Sequence, residues 1–418
     1  MEKEADIIVV GAGASGLAAA VEAVRGGARV LVLEKNHVPG RKVLSTGSGK
    51  CNFSNLRVGP GDYNGAARPF LKKTFAALPP AKTRVFLEEL GLLISEGEGG
   101  RLFPRSMRSN DVVAVLCNEL AFLGGRIATL TQVSSVKPAA GGFEVLARKV
   151  PPKWDKKARE GEPAVFRARR VILSAGGAAY PQIGGGEGGY ALLKSLGYRI
   201  SALSPSIVPL RTLKYPPKEL DGVRLPAALK LVSGDRTLAR SAGELLFTAY
   251  GLSGPAVLDL SGAAVAALGT APVSIEADFF PEMTASALEK SLEARARAFA
   301  GRPFSHFAAG LLNEKVLKAA AARAGAAWEA PVGPTLAFAR ELKSFAAGIA
   351  GPLGFEEAMV TAGGCSLDGI DPVSFASKKV PGLHVTGELL DVDGRSGGFN
   401  LHFAWTSGIL AGRSAARF

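Results

Sequence analysis

Gly11, Gly13 and Gly16 stand at G-x-G-x-x-G spacing, directly after an apolar run at residues 6–10 and directly before an alanine-rich stretch that opens with Ala14 and Ser15. Gly11 permits a turn, Gly13 lets backbone approach a pyrophosphate, and Gly16 allows a helix to pack closely on a strand. A helix that starts there offers unpaired N–H groups and a partial positive charge to phosphate. Glu34 lies eighteen residues after Gly16, at the end of the next apolar run, with Lys35 beside it. A carboxylate at that place accepts hydrogen bonds from an adenosine ribose. Glycine spacing alone also fits a coincidental turn, but strand, helix and spaced acid together point to a dinucleotide site.

A second group of reactive residue types fills residues 40–55, "GRKVLSTGSGKCNFSN". The segment follows the ribose-binding strand on the carboxyl side of the sheet, where ligands bind. Arg41 and Lys42 are placed to neutralise phosphate, while Ser45, Gly47, Gly49 and Asn52 wrap a planar ring, the glycines letting backbone lie close to it. Cys51 has two readings: a proton donor whose pKa Lys50 depresses, or a small, chemically silent side chain packed under the cofactor. The second is preferred, because a cysteine without a partner cannot run thiol–disulfide chemistry by itself.

The C-terminus decides which dinucleotide is expected. In "VPGLHVTGELLDVDGRSGGFNLHFAWTSGILAG" a strand at residues 383–386 ends at Gly387 and Glu388, and the pair Gly397–Gly398 precedes a terminal helix that starts at Phe399 and Asn400. That helix would direct its positive end at the pyrimidine side of an isoalloxazine, and Glu388 would bind the ribityl chain. Ala175, Gly176 and Gly177, the glycine-rich loop at 184–189 and Val133 are further cofactor contacts. FAD accounts for both ends of the chain, whereas NAD accounts only for the first. His402, near Asn400, is the histidine chosen as a catalytic candidate. His37, His306 and His384 lack metal or triad spacing, and His384 reads as core. Glu388, Asp391 and Asp393 read as cofactor and turn ligands, so no metal site is expected.

The elements that must hold these residues follow from periodicity. Residues 6–35 read as a β-α-β unit, the usual start of a doubly wound parallel sheet. Helices are expected around 70–78 and 81–90, and another from Asn110 as N-cap, with Val112, Leu116, Leu120 and Leu123 on one face and Cys117 as a buried thiol. Residues 126–170 read as a β-meander with a mobile charged loop near 149–163. The character changes after residue 197, where strands precede Ala/Leu/Arg-rich helices. The expected organisation is a first FAD-binding part at 1–197, an inserted β-rich domain at 198–283, a helical insertion at 284–342, and a return to the FAD-binding domain at 343–418.

Composition excludes other classes. The chain has 418 residues and 47% hydrophobic content, enough for several domains with a sizeable core. Cys51, Cys117 and Cys365 are far apart, which argues against a disulfide framework and for the cytoplasm. No secretory leader is visible, and the apolar stretch at 256–275 carries Asp259 and two glycines, so no membrane association is expected. The net charge is +13, and residues 101–170 hold 14 Lys/Arg against 6 Asp/Glu. Such a patch suits a polyanion or an anionic cofactor, although composition alone favours an ordinary solvated surface.

These motifs together resemble the YhiN/BaiN-like flavoproteins, also known as aminoacetone-oxidase-family FAD-binding enzymes. The resemblance covers essentially the whole chain and is most specific in "GRKVLSTGSGKCNFSN", "GELLFTAYGLSGPAVLDLS", "TAGGCSLDGID" and the C-terminal segment. It implies an α/β fold: a split Rossmann-type FAD-binding domain with an inserted β-barrel-like domain and a helical domain. It also implies an FAD-dependent oxidoreductase reduced by NADH or NADPH. One branch of the family is associated with reducing uridine to dihydrouridine in ribosomal RNA, another with bile-acid metabolism, so RNA and a small molecule are both candidate partners. A flavin-stabilised binding module without turnover is the alternative from a different class. Two positions depart from the family pattern. Lys50 replaces an arginine, keeping charge but losing the planar fork, and His402 stands where glutamine is common.

Overall fold

The computed structural model describes residues 3–417 except 153, 156, 158, 215 and 217, so part of the charged loop near 149–163 lies outside the described residues. Two compact units are present, one of residues 1–204 and 360–418, the other of residues 205–359.

The first unit is built on a seven-stranded sheet. Strand β1 (Glu4–Val10) is followed by helix α1 (Ala14–Arg25) and strand β2 (Val30–Leu33). Both strands are nearly continuous Val/Ile/Leu because helices cover both faces of a parallel sheet. The sheet is completed by β6 (Arg126–Ala128), β7 (Thr131–Ala139), β8 (Gly142–Lys149) and β9 (Ala164–Leu173), in the order β6-β2-β1-β9-β8-β7. The final strand, Leu383–Val385, pairs in parallel with β9, so the C-terminal segment returns to the centre of the sheet. β1, β2, β6, β9 and the final strand are parallel, whereas β7–β8–β9 form the antiparallel meander.

Between β2 and β6 lie α2 (Arg41–Ser45), β3 (Ser54–Asn55), α3 (Arg68–Ala77), α4 (Pro80–Glu89), β4 (Ile94–Glu96), β5 (Arg101–Pro104) and α5 (Ser109–Phe122). α6 (Gly188–Ser195) follows the glycine loop. Helix α5 starts one residue before the expected cap. Arg108 is its N-cap, Ser109 Oγ donates to the Leu44 carbonyl (2.8 Å), and Asn110 sits within the first turn. Val112, Leu116 and Leu120 are buried, but Leu123 lies past the helix end and is 37% exposed, and Cys117 is only half-buried.

The terminal helix, Phe399–Ala415, packs on α1, and small residues let the two backbones approach closely. A Cβ on Gly408 would stand 2.2 Å from the Ser15 carbonyl oxygen, and one on Gly412 2.4 Å from that of Ala19. Each Leu, Val or Ile buried here, such as Leu17, Val21 and Ile409, contributes about 1.5–3 kcal/mol. Arg413 pairs with buried Glu22 across the same contact.

The second unit is a closed antiparallel barrel of strands Leu210–Thr212, Gly251–Ser253, Arg236–Thr248, Arg224–Ser233, Ser274–Asp278 and Phe345–Pro352. The helices expected as a separate insertion share its core: Phe304, Phe338 and Leu292 cluster with Leu229 and Phe247 of the barrel wall. The expected return to the first domain at 343 is therefore corrected. Strand Phe345–Pro352 closes the barrel against Leu210–Thr212 and Ser274–Asp278, and the chain re-enters the first unit only at 360.

Candidate functional site

The carboxyl ends of β1, β2 and β9 open on a cavity whose wall includes Gly11, Gly13, Glu34, Ala175 and Gly176. Gly11 has φ +101°, and a Cβ there would stand 2.5 Å from the Ser174 carbonyl oxygen, so the turn requires glycine. At Gly16 a Cβ would lie 1.9 Å from the Gly11 oxygen. Gly13 is different. Its φ and ψ of −80° and −169° suit any residue, and a Cβ there would meet nothing within 4 Å. The chain leaves room at Gly13 that its own packing does not use. The first intrahelical bond of α1 runs from Leu17 N–H to the Gly13 carbonyl (2.9 Å), which leaves the amides of Ala14, Ser15 and Gly16 outside the helical ladder. Ser15 itself is buried, with its hydroxyl against Gly387 rather than in the cavity wall.

Glu34 is buried and anchored. Its Oε2 accepts from Ala12 N–H (2.7 Å), and its Oε1 accepts from Asn36 N–H and Nδ2 (2.7 Å each). These bonds hold the carboxylate at the cavity floor with lone pairs to spare. Asn36, missed in the sequence, also lines the cavity and accepts from Arg41 (3.5 Å); its position two residues after the acid was the available signal. Lys35, Arg41, Lys42 and Val133 line the same cavity.

Lys42 and Glu388 form an ion pair (Nζ–Oε2 2.5 Å), both about a quarter or less exposed. Glu388 also accepts from Thr361 N–H (2.8 Å) and Gly177 N–H (3.4 Å). A Cβ on Gly177 would stand 2.6 Å from the Glu388 carboxyl carbon, so Gly177 serves this close approach. Glu388 thus ties the segment after β2 to the chain on either side of residue 361. The contribution of Thr361 had no local sequence signal, because its partners are remote in the chain.

The segment after α2 is a run of left-handed backbone: Gly47 (φ +56°), Ser48 (+54°), Gly49 (+85°) and Cys51 (+57°). Non-glycine residues in this region cost on the order of 1 kcal/mol each. Cys51 N–H donates to the Thr46 carbonyl (3.0 Å) and Phe53 N–H to that of Leu102 (3.0 Å), which fixes the conformation. Ser45 is exposed and bonds back to the Lys42 carbonyl, and Lys50 is exposed. The Cys51 side chain is fully buried, and burial pushes its thiol up to about 11. The lowering by Lys50 that the proton-donor reading required is absent: desolvation dominates and Cys51 stays protonated at neutral pH. Burial likewise pushes Cys365 up to about 12.

Asn52 Oδ1 is buried without a hydrogen-bond partner. A Cβ on Gly398 would lie 2.8 Å from that oxygen and 2.4 Å from the Ser54 carbonyl oxygen, so the glycine pair before the terminal helix abuts this segment. Gly397 accepts from Asn55 Nδ2 (3.1 Å), Phe399 accepts from Tyr63 Oη (2.9 Å), and Asn400 brackets Gly394 with two 2.8 Å bonds. The Phe399 carbonyl and the Asn400 side chain thereby hold the turn. His402 lies behind the loop: its Nδ1 shares a hydrogen bond with Ser54 Oγ (2.8 Å), its ring meets that of Phe75, and burial lowers its pKa to about 3. It is neutral and absent from the cavity wall.

The open space at Gly13, the amides at the start of α1, the Glu34 carboxylate and the unpartnered Asn52 oxygen fit an extended dinucleotide with a hydrogen-bonding ring. Among the described residues no three His, Cys, Asp or Glu side chains form a metal-holding group, and no helix is long and apolar enough to cross a membrane.

Comparison with known proteins agrees with this geometry. Residues 5–414 match the family described as HI0933-like protein Rossmann domain. The chain is 33% identical over 98% of its length and of the relative's to a 3-dehydro-bile acid delta(4,6)-reductase of Clostridium scindens. It is 27% identical, over the full length of both chains, to a ribosomal RNA dihydrouridine synthase of Haemophilus influenzae. Among solved structures, a 3-ketosteroid delta1-dehydrogenase of Sterolibacterium denitrificans shares the fold with TM-score 0.51 at 16% identity, covering 99% of both chains.

Proposed function

The chain belongs to the HI0933-like family of FAD-binding Rossmann oxidoreductases, and from that membership we propose that it saturates a carbon–carbon double bond conjugated to a carbonyl, with a uracil base of ribosomal RNA as substrate and NADH or NADPH as reductant. One relative is named as a delta(4,6)-reductase of a 3-dehydro-bile acid and another as a ribosomal RNA dihydrouridine synthase, and reduction of a carbon–carbon double bond is the chemistry that the two names share. The observation that carries the cofactor assignment is the unused space at Gly13 beside the free amides of α1.

FAD, when bound, supplies hydride chemistry. The protein's own residues do the rest. The amides and positive end of α1 hold the pyrophosphate, and Arg41 adds charge there, since Lys42 is engaged by Glu388. Glu34, held by Ala12 and Asn36, orients the adenosine ribose. Asn52 offers an amide to the ring edge. Cys51 and His402 shape the loop from beneath: the thiol is protonated and wholly buried, and the imidazole is neutral and occupied by Ser54, so neither presents a proton at the cavity.

The net charge of +13 supports an RNA substrate. The higher identity to the bile-acid enzyme supports a second reading, a small conjugated ketone. Nucleoside mass spectrometry of ribosomal RNA from a deletion strain separates them. Loss of one dihydrouridine, with uridine two mass units lighter in its place, is expected. An unchanged profile, together with anaerobic reoxidation of the reduced protein by a steroid enone, would leave the small-molecule reading.

A further inference from the structure

We propose that the outer face of the β3–β5–β4 sheet is the surface on which a single-stranded RNA docks beside the cofactor loop, an inference that rests on the ribosomal-RNA reading above. Strand β5 alternates: Leu102 and Pro104 are buried, while Arg101 and Phe103 are half-buried, and Arg105 in the turn that follows is exposed. Successive side chains of a strand point to opposite faces, so Arg101 and Phe103 share the outer one, and Arg105 follows in the exposed turn. Asn55 lies opposite Arg101 and Ser95 opposite Phe103 on the same face. Glu96, opposite Leu102, belongs to the other face, and Glu98 in the adjoining turn is the acid that flanks the surface.

The Phe103 ring lies between two glycines. A Cβ on Gly97 would stand 3.0 Å from its Cε2, and one on Gly47 3.8 Å from its Cε1. An aromatic face flanked by residues without side chains is a stacking platform for a base. Arg101 and Arg105 flank Phe103 at two residues on either side, Lys50 follows Gly47 in the cofactor loop, Arg108 caps helix α5, and the Arg57 stem lies 3.7 Å from the Cβ position of Gly100. Among the described residues, none of these five cations has a side-chain hydrogen bond or ion pair. Elsewhere on the same unit Arg25, Arg29, Arg148, Arg167 and Arg413 are each paired with a carboxylate. Leu56, Leu93 and Met107 are exposed beside them.

Unpaired cations interleaved with a stackable ring suit a phosphate backbone with unstacked bases. Five cations without a carboxylate partner among the described residues exceed what the two or three phosphates of a nicotinamide dinucleotide need. The face is also continuous with the proposed redox site. Gly47 of the cofactor loop borders Phe103, and Asn55 donates to Gly397 of the glycine pair (3.1 Å). A strand held here delivers an extruded base to that loop.

The test is fluorescence anisotropy of the flavin-loaded protein with a fluorescein-labelled, uridine-rich single-stranded RNA across a salt series. Phe103→Leu is expected to weaken binding about 5- to 150-fold at every salt concentration, the effect of losing one stacked base. Arg101→Gln with Arg105→Gln is expected to reduce the salt slope by about 1.4, roughly 0.7 per lost phosphate contact on a single strand. Flavin content and the anaerobic bleaching rate with NADPH should stay at wild-type values, and Arg105→Gln alone, at an exposed site, provides a variant whose folding is not at stake. Wild-type RNA binding by all variants, no binding by the wild-type protein at low salt, or a selective loss of NADPH bleaching would overturn the proposal. Variant-sensitive RNA binding combined with an unchanged nucleoside profile on deletion would remove the ribosomal-RNA reading while supporting this face as an RNA surface. Loss of dihydrouridine on deletion, restored by variants that bind RNA normally, would remove the face alone.

Discussion

Gly13→Ala separates the two reasons a nucleotide-binding turn contains glycine. The Gly13 backbone accepts any side chain, and an added Cβ meets no protein atom within 4 Å. For the protein without cofactor, two small effects oppose. Alanine restricts the unfolded chain, which stabilises by about 0.4–1 kcal/mol, and it caps the α1 N-terminus less well, which costs about 0.5–1 kcal/mol. The net change should be within about 0.5 kcal/mol. Toward FAD the methyl occupies the space through which the pyrophosphate approaches. Overpacking of that size costs about 1–3 kcal/mol, a rise in Kd of roughly 5- to 150-fold. Gly16→Ala should behave in the opposite way. Its Cβ would stand 1.9 Å from the Gly11 carbonyl oxygen, a backbone atom that cannot rotate aside, so the fold should lose on the order of 3 kcal/mol before cofactor enters. Urea unfolding of the two apoproteins and titration with FAD, followed by flavin fluorescence, measure both quantities. A Gly13→Ala protein that binds FAD within about threefold of wild type, or that is destabilised as much as Gly16→Ala, would refute the argument.

The remaining expectations concern side chains. A double-mutant cycle with Lys42→Met and Glu388→Gln should show a coupling of about 1–3 kcal/mol, between surface and buried ion pairs; coupling near zero would mean that Thr361 and Gly177 alone hold the carboxylate. Cys51→Ala should keep FAD and most turnover, and native Cys51 should resist iodoacetamide at pH 8, since a thiol pushed up to about 11 is only about one-thousandth thiolate there. A selective collapse of substrate reduction with normal flavin reduction would restore a proton-donor role. Burial lowers His402 to about 3 and His384 to about 4, so between pH 6.5 and 4 the unfolded chain binds more protons and stability falls as pH falls, by about 1.4 kcal/mol per unit for each histidine. His402→Gln should remove about half of that slope in urea melts across this range, and an unchanged slope would show that the imidazole is solvated.

The sequence by itself determined what is local. G-x-G-x-x-G between an apolar strand and a helix, followed by Glu34, specifies a β-turn-α unit because strand, turn, helix start and second strand are neighbours in the chain; Gly16 answers a contact with Gly11 five positions away, whereas the contact that requires Gly11 comes from remote Ser174, and Gly13 answers no protein contact at all. The second glycine segment and the C-terminal "GELLDVDG" were legible for the same reason, since strand, turn and helix start are neighbours in the chain. What joins distant segments was decided only by tertiary structure. Glu388 was singled out by its motif as a ribityl ligand, but its partner Lys42, 346 positions away, could not be read locally: a partly buried carboxylate is stabilised by whichever cation and amides the fold brings to it. Spacing left Cys51 with two readings, a thiol lowered by Lys50 or a silent packed side chain; packing under the loop removed the thiol from water while the lysine stayed outside, and desolvation outweighs a solvated charge. His402 was a catalytic candidate from its place at a helix start near Asn400, but the fold turns its ring onto Ser54 and Phe75. The boundary at 360 depended on which strand closes the barrel, a pairing between segments more than a hundred residues apart that no periodicity records. Local spacing carries the chemistry of turns and helix ends; burial and long-range pairing decide which charges and thiols remain free to use it.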